Sequence, residues 1–426
     1  KLILYLHMKK IPLLLIIMFS VALHCQIINI PDTNFKTALI ESGIDTNNNG
    51  EIEVEEAQVV TELKIGNRSI VDLQGISYFS NLIYLVCSDN NIEYLDISEL
   101  IKLEHLNIDW NYTLKSLKLP ESSNLVKLEC FNNDLTSLDL TNQLNLIELD
   151  CSNNKLLELD VSKNSRIKKL YCSDNNLKNL DLKNLNDLTE LFIGYNEFST
   201  IINIPNKTNL TSLNYAGYNF TSFDTTNMPN LEYLNLDDNK LTEINITQNP
   251  KLRHLSINNN QISTLDLSNL KELVILECDS NKLTKLNVSE LEKLIGLLCS
   301  DNLLKTLDLS KNYNLQFTEI HNNLLETLFI KNGFQEVEQN HYNTISYSIL
   351  KWWNYGGREQ TLKYVCTDNF SREIRMFKSS GITVNPYCSF TPGGDYYTLK
   401  GEIQMSNSVN SCDANSLNFS DLKLKI

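Results

Sequence analysis

Residues 146–166 read LIELDCSNNKLLELDVSKNSR, and this stretch decides the fold because its pattern returns along most of the chain. With x for a variable position, the pattern is L-x-x-L-x-(C/I/L)-x-x-N-x-L-x-x-L-x-(L/I/V). Successive copies lie 21 residues apart, or 22 where the copy begins at Leu103 or Leu188. A shorter first copy begins at Leu63, which gives about 13 copies over residues 63–330 and predicts an array of stacked repeat units. The full copies begin at Leu82, Leu103, Leu125, Leu146, Ile167, Leu188, Leu210, Leu231, Leu252, Leu273, Leu294 and Leu315.

Each copy predicts one short strand. In Leu149-Asp150-Cys151 the apolar residues are two apart, so both side chains face one side of an extended segment. One coil cannot bury its own apolar face, whereas stacked neighbours build a continuous core. The strands should therefore form a parallel sheet with ~4.8 Å between coils. A second motif, as in residues 138–140 (LDL), alternates in the same way and predicts an extended or β-like opposite side rather than a helical one.

An asparagine follows each strand, where the chain must turn and backbone groups lose their sheet partners. Its amide supplies both donors and an acceptor, so stacked copies should form a buried ladder. The eighth copy has Tyr218 at this position and Tyr215 at the preceding inward position, which predicts a local bend or register adjustment. The two 22-residue copies predict small bulges. The asparagines of the ladder are predicted to be Asn67, Asn90, Asn111, Asn133, Asn154, Asn175, Asn196, Asn239, Asn260, Asn281, Asn302 and Asn323.

These repeats resemble those of leucine-rich repeat proteins over about 63% of the chain. The form L-x-C-S-x-N, as in residues 85–90, resembles secreted repeat proteins of Bacteroidetes-type bacteria, which are similar in plan to internalins. The resemblance implies a curved right-handed solenoid whose strands lie on the concave face. The chain then divides into a signal peptide (1–25), an EF-hand-like helical N-terminal cap (26–62), the leucine-rich repeat solenoid (63–333), an α+β C-terminal cap (334–391) and the start of a truncated β-sandwich-like domain (392–426).

The N-terminal segment indicates export. Residues 8–26 read MKKIPLLLIIMFSVALHCQ, with a basic start and an apolar run over residues 11–23 that is too short for a comfortable membrane span. A cleaved signal peptide is the better interpretation, with the real start at Met8 and cleavage near Cys25. A lipoprotein with a lipidated Cys25 is the alternative, although His24 fits that pattern poorly. The mature protein is expected to be secreted or held at the cell surface.

Six of the ten cysteines occupy one inward repeat position, where other copies have isoleucine or leucine. Free cysteine behaves as a small hydrophobe, so buried unpaired thiols are expected there. A metal ladder is less favoured because the short paired spacing of zinc sites is missing. One disulfide is expected among Cys366, Cys388 and Cys412, with Cys366–Cys388 the first candidate. The ladder cysteines are Cys87, Cys130, Cys151, Cys172, Cys278 and Cys299.

Residues 45–56, DTNNNGEIEVEE, match the calcium-loop pattern D-x-[DN]-x-[DN]-G-x5-E at every specified position. Ca²⁺ takes six to eight oxygen ligands around such a tight loop, and Gly50 permits the sharp turn. We expect a structural Ca²⁺ of modest affinity that rigidifies an N-terminal cap; the alternative is an Asn-rich turn that binds nothing. The predicted ligands are Asp45, Asn47, Asn49, the carbonyl of Glu51, Glu53 and Glu56.

After Ile330 the repeat stops, and an aromatic segment with Trp352, Trp353 and Tyr355 is expected to cover the last coil. A strand, a helix and a strand are predicted next, over residues 362–366, 371–378 and 382–390. The resemblance implies that residues 387–394 lead into an immunoglobulin-like or prealbumin-like β domain. Only its opening strands are expected before Ile426.

The net charge of −15 argues against a nucleic-acid partner, which needs a basic face. The histidines outside the predicted signal peptide are scattered, and no arrangement for nucleophilic catalysis or phosphate binding is evident. No enzyme is therefore expected. The chain is predicted to be a monomeric, non-catalytic protein-binding or adhesion module that uses its concave face. The alternatives are a glycan-binding module, or the non-catalytic part of a larger exported enzyme. Exposed aromatic residues predicted to contact the ligand are Tyr84, Trp110, Phe131, Tyr171, Phe192, Tyr195 and Tyr233.

Overall fold

The computed structural model describes residues 26–121, 124–333, 362–368, 374–375, 377–378 and 381–385. Two helices near the start, α1 (Thr33–Glu41) and α2 (Val54–Gln58), precede a long series of three-residue strands. In chain order these are β1 (Glu62–Lys64), β2 (Tyr84–Val86), β3 (Tyr94–Asp96), β4 (His105–Asn107), β5 (Ser116–Lys118), β6 (Lys127–Glu129), β7 (Glu148–Asp150), β8 (Lys169–Tyr171), β9 (Glu190–Phe192), β10 (Ser212–Asn214), β11 (Tyr233–Asn235), β12 (His254–Ser256), β13 (Ile275–Glu277), β14 (Gly296–Leu298), β15 (Thr306–Asp308), β16 (Phe317–Glu319), β17 (Thr327–Phe329), β18 (Tyr364–Cys366) and β19 (Thr383–Asn385).

One strand from each repeat joins a 13-stranded sheet, which we call the main sheet, in the order β1-β2-β4-β6-β7-β8-β9-β10-β11-β12-β13-β14-β16. Its neighbours are parallel and pair one repeat apart, as Leu149 pairs with Leu170. Leu149 and Cys151 point inward and are fully buried, while Glu148 and Asp150 flank them on the outward face. The period-two pattern of the sequence thus sets the core, and the predicted solenoid of stacked parallel coils is confirmed.

Both 22-residue copies keep this register. His105 pairs with Lys127 and Glu190 with Ser212, each across 22 residues. The first extra residue lies after Asn111, in a turn closed by the Leu114 amide on the Asn111 carbonyl at 2.8 Å. The predicted bulge of this copy is therefore in a turn that follows the strand, and the main sheet continues through it unchanged.

Opposite the main sheet the chain is extended or turning, with little helix, as predicted. Strands form there where the second repeat motif pairs between coils. They make a two-stranded sheet, β3-β5, and a four-stranded sheet, β15-β17-β18-β19. β18 and β19 lie in the predicted strand–helix–strand region, with helical residues 374–375 and 377–378 between them, and extend the sheet that β15 and β17 begin. Among the residues described, no helix has both the length and the apolar character needed to cross a bilayer.

Asp32 joins α1 to the first coil. One carboxylate oxygen caps the helix by accepting the amides of Asn34 and Phe35 at 2.8 and 2.9 Å. The other accepts the amides of Val71 and Asp72 at 2.7 and 3.0 Å. Burial alone would raise the pKa of Asp32, but these four amide donors hold it below its usual value. The helical start of the described chain is therefore attached to the solenoid through backbone donors.

The asparagine ladder has the geometry that the sequence predicts. The Asn154 amide donates to the carbonyls of Cys130 and Cys151 at 2.8 and 3.1 Å, and its oxygen accepts the Leu135 amide at 3.0 Å. Each ladder amide thus connects two coils and satisfies buried backbone groups that no strand can reach. The ladder members are Asn90, Asn111, Asn133, Asn154, Asn175, Asn196, Asn239, Asn260, Asn281, Asn302 and Asn323.

Asn67 is not part of the ladder, and that prediction was wrong. Leu63 pairs with Leu85, so Asn67 is equivalent to Asp89, one residue before the ladder position. Both adopt left-handed backbone conformations, with φ of 55° and 54°. Asparagine and aspartate tolerate this conformation better than most residues, which explains Asn67 without any ladder role.

The predicted bend or register adjustment at the eighth copy is also not observed in the sheet. β10 pairs in the standard register with β9 and β11. The larger side chains are taken up inside the coil. Tyr215 is fully buried, and its phenol accepts the Ile202 amide at 2.5 Å. Its ring contacts Tyr218 and Phe220 with centroids 5.1 and 5.4 Å apart.

The six ladder cysteines are free thiols and fully buried. Burial raises their pKa well above the usual range, so they remain protonated and unreactive. Cys366 is disulfide-bonded. Its predicted partner Cys388 and the alternative Cys412 lie outside the described residues, as do the leader, the aromatic segment 352–355 and residues 392–426.

Candidate binding surface on the main sheet

The first and third residues of each strand of the main sheet point outward. We call this the sheet face; it is the surface that the sequence predicts to be concave. In β8 these residues are Lys169 and Tyr171, which are partly exposed on either side of the buried Leu170. The next outward side chains come from the turn that follows each strand. The sheet face is therefore a regular array in which neighbouring rows are one strand spacing, ~4.8 Å, apart.

Four rings form a continuous run across this face. Tyr171 meets Phe192 edge to face at 5.1 Å, and Phe192 stacks on Tyr233 at 5.4 Å with 22° between the planes. Tyr233 meets His254 at 5.0 Å. We call Tyr171, Phe192, Tyr233 and His254 the ring run. Phe192 reaches Tyr233 across β10, in which Asn214 pairs with Phe192 and Ser212 pairs with Tyr233.

A second aromatic pair lies nearer the N-terminus. Trp110 and Phe131 meet edge to face at 5.3 Å, and Tyr112 packs against Trp110 at 5.7 Å. Tyr84 contacts His105 at 5.7 Å. The structure thus separates the predicted ligand-contacting aromatics into two groups, with Tyr171, Phe192 and Tyr233 in the ring run and Trp110 and Phe131 in this pair.

Trp110 and Tyr195 lie in the turns after the strands rather than on them. Both have left-handed backbone conformations, with φ of 60° and 53°, and both are more than 40% exposed. Tyr195 crosses the next coil and donates its phenol proton to Asp238. Gly217 permits this crossing, because a Cβ atom there would lie 2.3 Å from Cδ1 of Tyr195. The ring is therefore held flat along the edge of the sheet face.

The N-terminal half of the sheet face contains acids that are matched by lysines. Lys127 lies 2.9 Å from Glu129 and 3.0 Å from Glu148, and Lys169 lies 3.0 Å from Glu190. The Tyr171 phenol donates to the same Glu190 carboxylate. Polar contacts and rings are interleaved here, an arrangement suited to recognition of another molecule.

Asp109 lies among these acids in a different environment. Burial, together with the neighbouring carboxylates of Glu129 and Asp150, raises its pKa to about 6, although the Phe131 amide donates to it and opposes the change. The pKa of Asp150 is raised as well, for the same main reason. Asp109 lies in the coil before that of Cys130, and Asp150 lies in the coil of Cys151.

The C-terminal half of the sheet face carries a polar network between coils. The hydroxyl of the buried Ser256 lies 2.8 Å from Asp237 Oδ1 and 3.0 Å from Glu277 Oε2. Asn258 donates its side-chain amide to Glu277 at 3.2 Å and its backbone amide to Asp237 at 2.6 Å. A hydroxyl has one proton to donate, so two carboxylates converge on a single donor. Asn258 and His254 supply further donors to this pair, and the contact with His254 helps to hold the pKa of Glu277 below its usual value.

The network continues towards the C-terminus. Asp279 accepts the Ser300 amide at 2.5 Å, and the Ser300 hydroxyl lies 2.8 Å from Nδ1 of His321. Burial raises the pKa of Asp279 to about 7, and the carboxylates of Glu319, Asp301 and Glu277 contribute to the increase. Burial likewise raises the pKa of Asp237. These carboxylates are crowded and poorly solvated.

The calcium-loop residues are gathered in one loop, but they hydrogen-bond mainly to each other. Asp45 accepts the amides of Asn49 and Gly50 at 3.1 and 2.9 Å. The side-chain amides of Asn47 and Asn49 donate to Glu53 at 2.9 and 2.7 Å. The amide oxygens of these two asparagines are the predicted ligands. These oxygens accept the backbone amides of Asn49 and Glu51 at 2.9 and 2.8 Å.

Glu56 and Glu51 complete this loop. Glu56 accepts the amide and the hydroxyl of Thr46, both at 2.7 Å, and the Glu53 amide at 3.1 Å. The Glu51 side chain pairs with Lys36 at 2.7 Å. Within the described part of the chain, no group of three His, Cys, Asp or Glu side chains is placed to hold a metal ion. The carboxylates alone are therefore not enough, and calcium would also need the asparagine and carbonyl oxygens of the loop as ligands.

The polar network was not predicted as a unit. Its members occupy two positions of successive copies, the third residue of the strand and the second residue after the strand. An alignment of the C-terminal copies at these two positions shows mostly acids and other polar residues and no lysine, and this would have indicated the network. The sequence could not reveal that Ser256 is shared by two carboxylates, because that depends on side-chain rotamers.

Comparisons with known proteins agree with this architecture. No family model matches the sequence, and no curated protein matches it. The functional domain of InlJ from Listeria monocytogenes, which includes a cysteine ladder, is 28% identical with a TM-score of 0.62, over 72% of this chain and 76% of that one. The internalin InlF of Listeria monocytogenes is 23% identical with a TM-score of 0.52, over 80% of this chain and 96% of that one.

A leucine-rich repeat protein of Leptospira interrogans is 21% identical with a TM-score of 0.52, over 78% of this chain and 97% of that one. At such identities, the likenesses to this protein and to InlF concern the fold alone. Together with the 13-stranded parallel main sheet, the comparisons show that this chain has the leucine-rich repeat fold, in a solenoid of internalin-like plan.

Proposed function

We propose that this chain is a non-catalytic protein-binding module that recognises its partner through the sheet face. The observation that carries the proposal is the ring run. Phe192 and Tyr233 are large apolar side chains that the core does not use, and they stack on each other at 5.4 Å in fixed positions. Aromatic side chains of this kind dominate the binding energy of protein interfaces because they bury much area at little entropic cost.

The scaffold supports this proposal because it is rigid where the ring run lies. The residues beneath the rings, Leu191 and Leu234, are fully buried, and their strands belong to an uninterrupted sheet. Side chains on such a surface lose little freedom on binding, which favours affinity. The leader-like segment 8–26 supports a location outside the cell, secreted or at the cell surface, where adhesion would be the role of such a module.

The test uses the full chain, a Phe192→Ala, Tyr233→Ala double variant, and Tyr313→Ala as control. Tyr313 is an exposed aromatic residue in a loop outside the main sheet. Proteins captured by crosslinking in the native environment are quantified by mass spectrometry and then measured individually by calorimetry. We expect the double variant to weaken binding by roughly 30-fold or more at an unchanged thermal midpoint, as for loss of a hot spot. Equal binding by all three chains would refute the proposal.

Glycan binding is the second candidate, because the edge-to-face pair Trp110–Phe131 exposes an aromatic surface on the same side. A glycan array with the same protein separates the two. A carbohydrate signal that is lost in Trp110→Ala and Phe192→Ala would replace the protein-binding proposal. We also propose that Ca²⁺, bound by the loop of residues 45–56, has a structural role at the start of the solenoid, on the strength of the loop spacing.

A further inference from the structure

We propose that the C-terminal half of the sheet face binds an extended basic segment of the partner, whose arginine or lysine side chains enter between the carboxylates of Asp237, Glu277, Asp279 and Glu319. This inference deepens the proposed function and rests on it. It follows from the charge of the surface, from the shortage of donors to Asp279 in the polar network and from the spacing of the coils.

The charge is one-sided. The strand-and-turn segments 233–239, 254–260, 275–281, 296–302 and 317–323 contain six acidic residues and no lysine or arginine. Their cationic groups are limited to His254, 3.3 Å from Glu277, and His321, 3.7 Å from Asp301. The N-terminal half differs in that two lysines, Lys127 and Lys169, lie on its strands and pair with acids there. A surface of uncompensated carboxylates is complementary to a basic partner.

The nearest lysine and arginine side chains lie at the edges of this surface. Arg253 precedes β12 at the amino end of the strands and is exposed. Lys282 follows the ladder position at the other edge, and its amine lies 3.1 Å from the Gln261 side-chain oxygen. The centre of the surface therefore lacks a cation of its own among the described residues.

One carboxylate of the polar network, Asp279, has few donors among the described residues. Asp237 and Glu277 share the Ser256 hydroxyl and also accept hydrogen bonds from Asn258. Asp279 accepts the Ser300 amide and has Glu277, Asp301 and Glu319 as its charged neighbours. A guanidinium group brings five donors and a positive charge, and it binds carboxylates in a bidentate manner. A bound guanidinium group would therefore supply donors to these carboxylates and also reduce the repulsion between them.

The acids also recur at a useful spacing. Asp237, the pair Glu277 and Asp279, and Glu319 lie on every second coil, so their rows are about 9.6 Å apart at ~4.8 Å per coil. A segment that crosses the strands in the polyproline II conformation rises about 3.1 Å per residue with three residues per turn, so side chains three apart share a face and match this spacing. The ring run ends at His254, which contacts Glu277, so the aromatic and acidic parts of the surface adjoin.

Binding should depend on pH. Burial and like charges raise the pKa of Asp279 to about 7, and a bound cation would lower it again, so binding releases a proton. The affinity should therefore increase by about tenfold between pH 6 and pH 8 if this one group accounts for the effect. Two histidines, His254 and His321, also lie on this surface, and for that reason the test includes a variant of Asp279.

The probe is a synthetic ten-residue peptide with arginine at every third position and threonine elsewhere, titrated into the full chain by calorimetry. The matched probe has glutamine in place of arginine. The variants are Glu277→Gln combined with Asp279→Asn, Asp279→Asn alone, and Glu290→Gln. Glu290 is an exposed residue outside the main sheet, so its variant controls for net charge.

We expect the arginine peptide to bind, the glutamine peptide to bind at least tenfold more weakly, and the double variant to lose at least tenfold in affinity while Glu290→Gln does not. Asp279→Asn should remove most of the pH dependence. Equal affinity of the two peptides, or equal affinity of the double variant and Glu290→Gln, would overturn the inference. If the arginine peptide fails to bind while a partner protein still requires Phe192 and Tyr233, the proposed function stands and this inference alone is lost.

Discussion

The phenol of Tyr218 donates a hydrogen bond of 2.5 Å to the carbonyl of Ile193, at the place where the adjoining coils use an asparagine amide. Asn196 makes the same connection to Cys172 at 2.9 Å, and Asn239 to Tyr215 at 3.2 Å. The phenol reproduces the donor of the amide, and its oxygen also accepts hydrogen bonds from Asn196. One coil of the ladder is thus held by a different functional group.

Replacing Tyr218 with phenylalanine removes this donor and leaves the ring in place. Ile193 keeps a second donor, the side chain of Asn196 at 3.1 Å. We therefore expect a loss of only about 1 kcal/mol in the free energy of unfolding, the value of a typical hydrogen bond. Urea denaturation measures it, with the exposed Tyr313→Phe as control. A loss as small as that of the control would show that the phenol contributes nothing.

Asn154→Ala should be far more damaging than Tyr218→Phe. The Asn154 side chain makes hydrogen bonds to Cys130, Cys151 and Leu135, all in the buried turn. Their removal leaves a buried amide and a cavity in a neighbouring pair of coils. We expect a loss of about 3 kcal/mol or more, seen as a lower urea midpoint. The adjacent Asn153→Ala is the control; a similar loss there would mean that the turn rather than the ladder is responsible.

A second set of inward amides gives a paired test. Asn249 Oδ1 accepts the Thr225 hydroxyl at 2.8 Å, whereas Asn312 Oδ1, equivalent by position, is buried and accepts no hydrogen bond from the described residues. The position equivalent to Thr225 is occupied by Val288, which has no hydroxyl to donate. The backbone carbonyl of Val288 accepts the side-chain amide of Asn312 at 2.9 Å.

Thr225→Val should lower the free energy of unfolding by about 1–2 kcal/mol, because it leaves a buried acceptor without a donor. Val288→Thr should have the opposite sign and a smaller size, since the new hydroxyl replaces a buried methyl group. Thermal unfolding of both variants against the wild type measures the difference. Two changes of the same sign would show that the buried amide oxygen is not the deciding factor.

Calcium should stabilise the start of the solenoid if it binds the loop of residues 45–56. We expect a measurable heat of binding and a higher unfolding temperature in calcium than in a chelator, because a ligand that binds only the folded state stabilises it. Asp45→Ala should abolish both effects, and Asp72→Ala, on the first coil, is the control. Identical heats for the wild type and Asp45→Ala would end the calcium proposal.

Glu56 should make stability dependent on acid. Burial alone would raise its pKa, but the Thr46 hydroxyl and the Glu53 and Thr46 amides lower it from 4.5 to about 2. The charged form is therefore favoured in the folded chain, and its contribution is complete above pH 4.5 and lost as the pH falls towards 2. With a chelator present, the difference in the free energy of unfolding between the wild type and Glu56→Gln should shrink as the pH falls through this range. The difference for exposed Glu99→Gln should stay constant.

The repeat pattern predicted the main sheet because two constraints act together. The inward pair, such as Leu149 and Cys151, shares one face only in an extended strand, and the asparagine that follows is suited to a buried turn. Repetition of both every 21 residues then predicts stacked coils with one strand and one turn each. Asn67 was assigned wrongly for a physical reason. The turn has two successive positions that accept asparagine, one with a left-handed backbone and one in the ladder. In Asn153-Asn154 both are filled, whereas a single asparagine does not identify its own position.

The outward face was less predictable. The pattern shows that Phe192 and Tyr233 point away from the core, but they lie two strands apart in different rows, so their contact at 5.4 Å depends on their rotamers. Tyr195 was expected among the aromatic ligand contacts, yet its position over Gly217 follows from a left-handed turn that a bulky residue rarely adopts. Rotamers and turn conformations on a solvated surface are not fixed by periodicity.

The constant register of the main sheet has a consequence for how such a protein could change its specificity. Each coil contacts mainly its two neighbours, so one 21-residue unit could be inserted between β12 and β13 without altering the others. Such an event would move the carboxylates of Glu277 and Asp279 relative to Tyr233 by one strand spacing, ~4.8 Å. Recombination of whole coils would thus adjust the distance between two recognition elements in fixed steps, with no new side chain needed at either.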